Sequence, residues 1–267
     1  IIVSNTKHSG GAVAGGKRVF SGFNIIDRLL QSPSTFPDRA AVSEIAGTVS
    51  NIREAPQGGT YIDVKGPKDT FSEHYVLPGF EHMVEVGTEV EPGDQLSDGL
   101  VDIEDIVRLR GLGEGRRYYV KRLQQAYRDS GMGVSKRNLE FLARAHLDHV
   151  QIQGDDGLAG YLPDEVVSYN SLINEYQPHK DSQMLETSKA GGKYLEQPVL
   201  HFTIGTHLTP NMLKEIKAAG IPQVYTSEKE PAFSAGDGGR SMVQLRRSTK
   251  HHTDWLAKQH TSHISET

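Results

Sequence analysis

One histidine near the start of the chain stands in a segment whose backbone can change conformation easily. Four glycines, Gly10, Gly11, Gly15 and Gly16, follow His8 within eight residues. Glycine adopts backbone conformations that other residues avoid, and an imidazole changes its charge near neutral pH. The pattern therefore predicts a mobile segment that carries one group able to donate a proton. The competing interpretation is a surface histidine in a loose chain end.

A short helix is expected just beyond this segment, because apolar residues recur there at helical spacing. The residues of its apolar face are Ile25, Ile26, Leu29 and Leu30. Pro33 ends the pattern, since the residue before a proline disfavours the helical conformation. Together the two parts predict a glycine-hinged hairpin of helices over residues 1–32, a shape that suits a lid better than a core.

Composition suggests a loop-rich piece of something larger. The chain has 267 residues, enough for one large domain or two modest ones, but only 36% are hydrophobic and the mean hydropathy is −0.48. Its 28 glycines and 12 prolines indicate many turns and short elements. The chain opens at Ile1 without a methionine and closes on a helix-compatible run, so we expect a segment of a longer chain or the product of a split gene.

Cysteine content, hydropathy and charge exclude several classes of protein. The absence of cysteine excludes a disulfide framework and a thiolate metal site, and it fits a reducing cytoplasm. No run of 18 apolar residues and no signal peptide is visible, so we predict no membrane association and a cytoplasmic location. The net charge of −5 argues against nucleic-acid binding over the whole surface, so basic groups that touch DNA or RNA must be concentrated.

Two stretches in the first half of the chain predict β structure. Residues 40–77 contain spaced apolar residues, a turn at Gly58–Gly59 and a strand over Tyr61–Val64. Residues 80–98 predict the hairpin of a small barrel or sandwich, with a tight turn at Pro92–Gly93. Lipoyl and biotinyl carrier domains have a similar hairpin, but the modifiable lysine that they present on the next turn is absent here. A non-catalytic carrier or scaffold domain is therefore the alternative function class.

The middle of the chain predicts two helices with many cationic residues. Val120, Leu123 and Tyr127 share one helical face, which ends at Gly131. Ser135 is a good N-cap for the next helix. The cationic residues of this stretch are Arg108, Arg110, Arg116, Arg117, Lys121 and Arg122. They form either a solvated helix face or a rim that follows the phosphates of a duplex.

The last third of the chain predicts a small β/α module and a basic end. Thr209 and Pro210 begin a helix that Gly220 terminates, and Gln223–Tyr225 predicts a strand. The final stretch is rich in arginine, lysine and histidine, which a solvated helix face explains as well as a phosphate contact does. No metal site is predicted, because the histidines there lack carboxylate or cysteine ligands at a suitable spacing.

Four separated blocks, in the same order, resemble the C-terminal portion of the largest (β′-type) subunit of multisubunit DNA-dependent RNA polymerases. The first block is Asn5–Gly11, where the family has Thr-Phe-His-x-Gly/Ala-Gly and this chain has Lys7 in place of the phenylalanine. The others are Ala41–Val49 with the hairpin at Val84–Leu96, then Asp102–Arg144 and Tyr161–Tyr169; Pro198–Leu200 resembles a further Pro-Val-Leu stretch of the family.

The resemblance and the local patterns together imply an α+β fold. We expect small β-barrel or sandwich-like modules with short helices, arranged as an elongated multi-module segment with a helical-hairpin trigger loop at the N-terminus. The expected modules are a trigger-loop segment (1–32), a jaw-like β module (33–99), cleft or clamp helices (100–178), a small β/α module (179–235) and a basic clamp-base or switch segment (236–267).

For catalysis, the resemblance implies a lid that closes on the incoming nucleotide. His8 is the expected catalytic residue and would lie against the β-phosphate, as a proton donor or as an electrostatic contact. Asn5 and Thr6 are the expected substrate-binding residues. The expected hinge residues are Gly10, Gly11, Gly15, Gly16 and Gly22. The expected nucleic-acid contacts are Lys7, Lys17, Arg18, Arg246, Arg247 and Lys250.

The resemblance also implies cofactors and partners. The chain contains no Asp-x-Asp-x-Asp, the pattern that holds the catalytic metals of the family. We therefore expect no cofactor on this chain and Mg²⁺ on another segment of the complete polymerase, without which the chain is inactive. Expected partners are the β-type subunit, the remaining β′ portion, the DNA template, the RNA transcript and nucleoside triphosphates. Lys7 and the divergent residues 190–267 suggest a divergent or split version, such as a viral (phage) one in the host cytoplasm.

Overall fold

Three groups of strands and helices follow one another along the chain. The computed structural model describes residues 13–14, 17–18, 25–26, 28–29, 38–154, 158 and 160–235. The strands are β1 (Val13–Ala14), β2 (Lys17–Arg18), β3 (Gly47–Glu54), β4 (Thr60–Lys65), β5 (Phe71–Val76), β6 (Glu89–Val90), β7 (His149–Ile152), β8 (Val166–Ser168), β9 (Gln183–Glu186), β10 (Tyr194–Leu195), β11 (Gln223–Ser227) and β12 (Phe233–Ser234). The helices are α1 (Ile103–Arg110), α2 (Leu112–Asp129), α3 (Lys136–His146), α4 (Tyr169–Glu175) and α5 (Pro210–Ala218).

The first group, the sheet module (residues 38–101), is a four-stranded antiparallel sheet curled like half a barrel. Its strand order is β5-β4-β3-β6. Ile62 and Val64 of β4 are fully buried, because alternate residues of a strand point to the same face. The predicted turn at Gly58–Gly59 is confirmed, with φ of 86° and 82°. The turn at Pro92–Gly93 is confirmed as well, since Gly93 has φ of 80°.

The second group is helical and contains the largest cluster of buried apolar side chains. The carboxylate of Asp102 caps α1 by accepting a hydrogen bond of 3.1 Å from the backbone N–H of Glu104. Gly111, with φ of 87°, separates α1 from α2 by a single residue. Val120 and Leu123 are buried, as predicted, and pack in one core with α3 and the sheet of order β12-β7-β8.

The third group is a smaller module in which α5 packs beside a sheet of order β10-β11-β9. The predicted helix is confirmed: the Thr209 hydroxyl accepts a hydrogen bond from the backbone N–H of Met212, and Pro210 occupies the first turn. The predicted strand is confirmed as β11. The chain then returns through β12 to pair with β7 of the second group. In the parts of the chain that the structure describes, no helix is long and apolar enough to cross a membrane.

The described residues agree only in part with the hairpin of helices expected over residues 1–32. At residues 13–14 and 17–18 the backbone is extended, and β1 pairs antiparallel with β2. The sequence predicted a glycine hinge between two helices here and did not predict this strand pairing. The physical reason lies in the spacing, because two glycines between two paired dipeptides suit a two-residue β-hairpin loop.

The helix expected after this ladder is confirmed, but its place in the fold differs from the expectation. Ile25, Ile26 and Leu29 have helical backbone and belong to the main apolar core, with Leu29 only 2% exposed. The side chain of His146, on α3, hydrogen-bonds to the backbone of Leu29. The apolar face of this helix is therefore packed in the core, and the lid role expected for residues 1–32 stays a prediction.

Candidate functional site

Four charged or titratable side chains meet where α2 lies against the third group of elements. We call this cluster, formed by Glu114, Arg117, His201 and Glu215, the charged junction. Arg117 Nη1 lies 2.7 Å from Glu215 Oε1, 3.4 Å from Glu114 Oε1 and 3.2 Å from His201 Nε2. His201 Nε2 also contacts the carboxylate of Glu114. The guanidinium thus joins α2 to α5 and to the loop that carries His201.

A glycine lets α2 come close enough to this loop for the contacts to form. Gly113 directly precedes Glu114, and a Cβ atom at this position would overlap the backbone carbonyl oxygen of His201. Van der Waals overlap of this kind forces one of the two backbones to move. Glycine at position 113 therefore sets the spacing of the charged junction.

The charged junction offers three ligand atoms to a cation but already contains a cationic side chain. Atoms of Glu114, His201 and Glu215 lie within 4.8 Å of one another, a geometry that a metal ion could use. Burial raises the pKa of Glu114, but the hydrogen bond and charge of His201 and the charge of Arg117 outweigh burial and hold the pKa below its ordinary value. Since Arg117 supplies positive charge between the carboxylates, the junction acts as an ion-pair cluster that fastens two groups of elements together.

Other arginines of the second group also bind acceptors within the chain. Arg110 donates hydrogen bonds to the carbonyl of Pro92 at 2.8 Å and to the carboxylate of Asp94 at 2.6 Å. Arg116 binds the carboxylate of Asp148 at 3.0 Å. The sequence offered a solvated face or a phosphate-binding rim for these residues. The structure instead shows them connecting α1 and α2 to the sheet module and to the loop before β7.

A second polar cluster is buried where the segment after α4 meets the third group. Glu196 is 2% exposed and accepts a hydrogen bond of 2.7 Å from the hydroxyl of Tyr176, while His179 Nδ1 lies 2.6 Å from its other carboxylate oxygen. Burial and the bond to Glu196 raise the pKa of Tyr176, so its hydroxyl stays protonated and donates. This cluster fastens the segment after α4 to the residue that follows β10.

A cavity of about 430 Å³ lies between β5 and residues 39–44, within the size range of ligand pockets. Arg39 at its wall donates a 2.6 Å hydrogen bond to Asp105 of α1. Burial lowers the pKa of His74 against the charge of Glu44, so this ring is neutral at pH 7. In the described residues, His74 Nε2 has no hydrogen-bond partner. The unpartnered ring nitrogen and the size of the cavity make it a candidate site for a ligand.

Comparison with known proteins identifies relatives of the chain, although no family model matches it. It is 28% identical over 176 residues to the DNA-directed RNA polymerase subunit β′ of Malacoplasma penetrans, which covers 65% of this chain and 14% of that protein. The subunits β′ of Endomicrobium trichonymphae and Lactobacillus johnsonii are each 33% identical, over 130 and 162 residues, or 48% and 60% of this chain. This chain is a relative of RNA polymerase β′ subunits.

The resemblance to β′ subunits that the sequence motifs predicted is thereby confirmed. The chain spans 8–14% of the length of the curated relatives named here. These relatives are bacterial. The viral origin suggested by the divergent residues stays a prediction.

Most residues predicted to act on nucleotide or nucleic acid in a β′-type subunit lie outside the described residues. These are His8, Asn5, Thr6, Lys7, Gly10, Gly11, Gly15, Gly16, Gly22, Arg246, Arg247 and Lys250. Lys17 and Arg18 form β2, of which the structure describes the backbone. The roles assigned to all of these residues stay predictions.

The sequence patterns of this β′ relative did not predict the charged junction or the cavity. Glu114 and His201 are 87 positions apart, and no local pattern links residues at that separation. Gly113 carried the one available signal, since a glycine inside a helical pattern often marks a close backbone approach. The two walls of the cavity are formed by a strand and by a segment that precedes the sheet. Neither wall contains a sequence motif that indicates a ligand site.

Proposed function

We propose that this chain is part of a DNA-dependent RNA polymerase and works inside the assembled enzyme as a C-terminal portion of a β′-type subunit. The observation that supports the proposal is sequence similarity to β′ subunits over about half to two thirds of the chain. Because the chain spans a small part of those relatives, the nucleotidyl transfer would belong to the assembly, to which this chain contributes a lid and scaffold modules.

In this proposal, the N-terminal segment is the trigger loop. The segment closes over the incoming nucleoside triphosphate, Asn5 and Thr6 contact the substrate, and the glycines after His8 act as hinges. Closure excludes water and holds His8 where it donates a proton or a hydrogen bond to phosphate oxygens as negative charge moves to the leaving pyrophosphate. Mg²⁺ held by another segment would activate the attacking hydroxyl.

The proposed jaw (33–99) and clamp base (236–267) would differ in whether they contact nucleic acid. The described sheet module carries twelve aspartates and glutamates against four lysines and arginines. Such a module repels phosphates, so we propose that it does not hold DNA through the phosphate backbone. The proposed nucleic-acid contacts lie elsewhere, at Lys7, Lys17, Arg18, Arg246, Arg247 and Lys250.

Purification of the tagged full chain from the cell that produces it tests membership of the polymerase. We expect the β-type subunit and the rest of the β′ portion to be recovered with the chain in equal amounts. Recovery of the chain without polymerase subunits would contradict the proposal.

Substitution of His8 tests the trigger-loop role within the complete enzyme. We expect His8→Ala to slow single-nucleotide addition by about 10²-fold, because a positioned proton donor contributes an effect of that size. Assembly and DNA binding should stay unchanged. The matched control is His82→Ala, at an exposed histidine of the sheet module, which should leave the rate unaltered. An unaltered rate of nucleotide addition in His8→Ala would contradict the trigger-loop role. It would leave the proposed membership of the polymerase unaffected.

The alternative of a lipoyl or biotinyl carrier domain rests on the turn at Pro92–Gly93. No lysine stands between Val84 and Val101, so the hairpin lacks the residue that carriers modify. Mass spectrometry of the purified chain distinguishes the two functions, since a lipoylated or biotinylated lysine would favour the carrier.

A further inference from the structure

Among the residues that the structure describes, the sheet module leaves one strand edge without a partner strand. β5 pairs with β4 alone, because the strand order is β5-β4-β3-β6. At the start of this ladder the Gly66 N–H donates to the Thr70 carbonyl at 2.8 Å, and hydrogen-bonded pairs recur at every second residue. Alternate residues of β5, beginning with Ser72, therefore bond to β4. The backbone groups of Glu73 and Tyr75 point away from β4, toward the open edge.

A second backbone edge is open in the segment that leads into β3. The Ser43 N–H donates to the Asp94 carbonyl at 2.9 Å, and the Leu96 N–H donates to the Ala41 carbonyl at 2.8 Å. These two bonds flank Val42, so the N–H and C=O of Val42 point to the other side of its strand. Among the described residues, no hydrogen bond reaches the backbone of Val42.

The cavity of about 430 Å³ separates these two edges. Glu73 and Tyr75 line it from β5, and Ala41 and Val42 line it from the opposite segment. His74, 8% exposed, also lines the cavity, and its Nε2 lacks a hydrogen-bond partner in the described part of the chain. Outward-pointing backbone groups on both sides of a gap are what an added β strand pairs with. We call this gap between the two edges the open seam.

The surroundings of the open seam indicate the chemistry of its occupant. The sheet module has three times as many acidic as basic residues. Three carboxylates and one arginine line the seam, and the arginine, Arg39, is paired with Asp105. The other two carboxylates, Glu44 and Glu73, are 56% and 41% exposed, and each is paired with one exposed arginine outside the lining. Phe71, the first residue of β5, is 62% exposed, and Leu77, the residue after β5, is 37% exposed. A strand with cationic side chains near the glutamates and apolar side chains between them would complement this edge.

We propose that the open seam binds an extended, lysine- or arginine-rich segment of a partner protein as an added β strand. Backbone hydrogen bonds from Glu73, Tyr75 and Val42 provide the affinity, and the acidic surroundings select a cationic segment. This inference goes beyond the proposed function, because it concerns a protein-binding surface and does not use the N-terminal lid or the nucleotide.

A labelled peptide provides a direct test on the full chain. The probe is a fluorescent peptide of about eight residues with alternating lysine and valine, a length typical of a strand. Fluorescence anisotropy should show saturable binding. A peptide with glutamate in place of lysine should bind with an affinity at least about tenfold lower. A lysine peptide that is N-methylated at every second residue lacks half of its backbone N–H donors. Its affinity should be at least about tenfold lower than that of the unmodified lysine peptide.

Two substitutions of one residue separate backbone pairing from side-chain charge. Glu73→Pro removes an N–H that faces the seam and leaves the ladder to β4 intact, since proline is tolerated on a strand edge. Glu73→Ala removes the carboxylate and keeps the N–H. We expect Glu73→Pro to weaken binding of the lysine peptide by about tenfold and Glu73→Ala by about threefold. Circular dichroism and thermal unfolding verify that both variants fold.

Several results would overturn the proposal. Equal affinity for the lysine and glutamate peptides would contradict selection of a cationic segment. Equal affinity of the two Glu73 variants for the lysine peptide would contradict binding as an added β strand. Failure of the folded wild-type chain to bind the lysine peptide would contradict both. Self-association of the chain that Glu73→Pro abolishes would identify a second copy as the occupant and would overturn the choice of a cationic partner.

Discussion

Gly113 determines how closely α2 approaches the loop that carries His201. We predict that Gly113→Ala lowers the free energy of unfolding by about 1–3 kcal/mol, because the added methyl group overlaps a backbone carbonyl that belongs to another element. Urea unfolding at pH 7 measures this change. The matched control is Gly133→Ala, where no atom lies within 4 Å of the added Cβ, and there we expect a change below about 0.5 kcal/mol. Equal stability of both variants would show that the loop moves aside at no cost.

His146 gives the chain a specific pH dependence of stability. The ring is fully buried beside Tyr119, at 5.2 Å between centroids, and burial lowers its pKa to about 4. The unfolded chain binds a proton near pH 6.5, so the neutral folded form loses about 1.4 kcal/mol of stability per pH unit as the pH falls from 6.5 toward 4. Above pH 6.5 this loss is absent.

The variant His146→Gln isolates the contribution of this ring. Glutamine retains an N–H that can donate to the Leu29 backbone but does not titrate. We expect the free energy of unfolding of His146→Gln to vary less between pH 6.5 and 4 than that of the wild type, in urea titrations across that interval. Parallel curves for the two proteins would contradict a neutral buried imidazole.

Single residues show where sequence patterns stop being informative. The capping role of Thr209 was predicted because its partner, the Met212 N–H, lies three residues away. The pairing of Arg117 with Glu215 was not predicted, because the partners are 98 positions apart and charged residues are common on helix surfaces. Local geometry follows from local sequence, whereas a contact between distant positions depends on how whole elements pack.

At the scale of elements, two helix starts allow a matched comparison. The hydroxyl of Thr209 accepts a hydrogen bond at the start of α5, whereas Ser135 makes no side-chain bond at the start of α3. We predict that Thr209→Ala lowers the free energy of unfolding by about 1 kcal/mol, and that Ser135→Ala has a smaller effect. Urea unfolding measures both. Equal losses would mean that the capping bond adds nothing at Thr209.

Elements with strong internal signals were predicted well. Val120 and Leu123 gave the face of α2, and Gly58–Gly59 gave the turn between β3 and β4. The ladder of β1 and β2 was not predicted, because two strands of two residues each are too short for a periodic pattern to appear. The burial of Ile25 was also missed, since an apolar helix face looks the same whether it covers a core or closes a lid.

At the scale of the whole molecule, the resemblance to β′ subunits was recognisable, but the packing of the groups was not. Recognition needed only short motifs in a fixed order. The packing depends on contacts such as those of Arg110 with Asp94 and of Arg117 with Glu215, which tie the helices to the groups before and after them. These arginines looked like surface charge in the sequence, and their partners became visible only in three dimensions.

The uneven spread of charge described for the sheet module has a consequence for the molecule in solution. The sheet module holds twelve acidic and four basic residues, whereas residues 103–146, which form α1 to α3, hold five acidic and ten basic residues. Because unlike charges attract, a polyanion that approaches these two groups has a lower electrostatic energy beside the helices than beside the curled sheet.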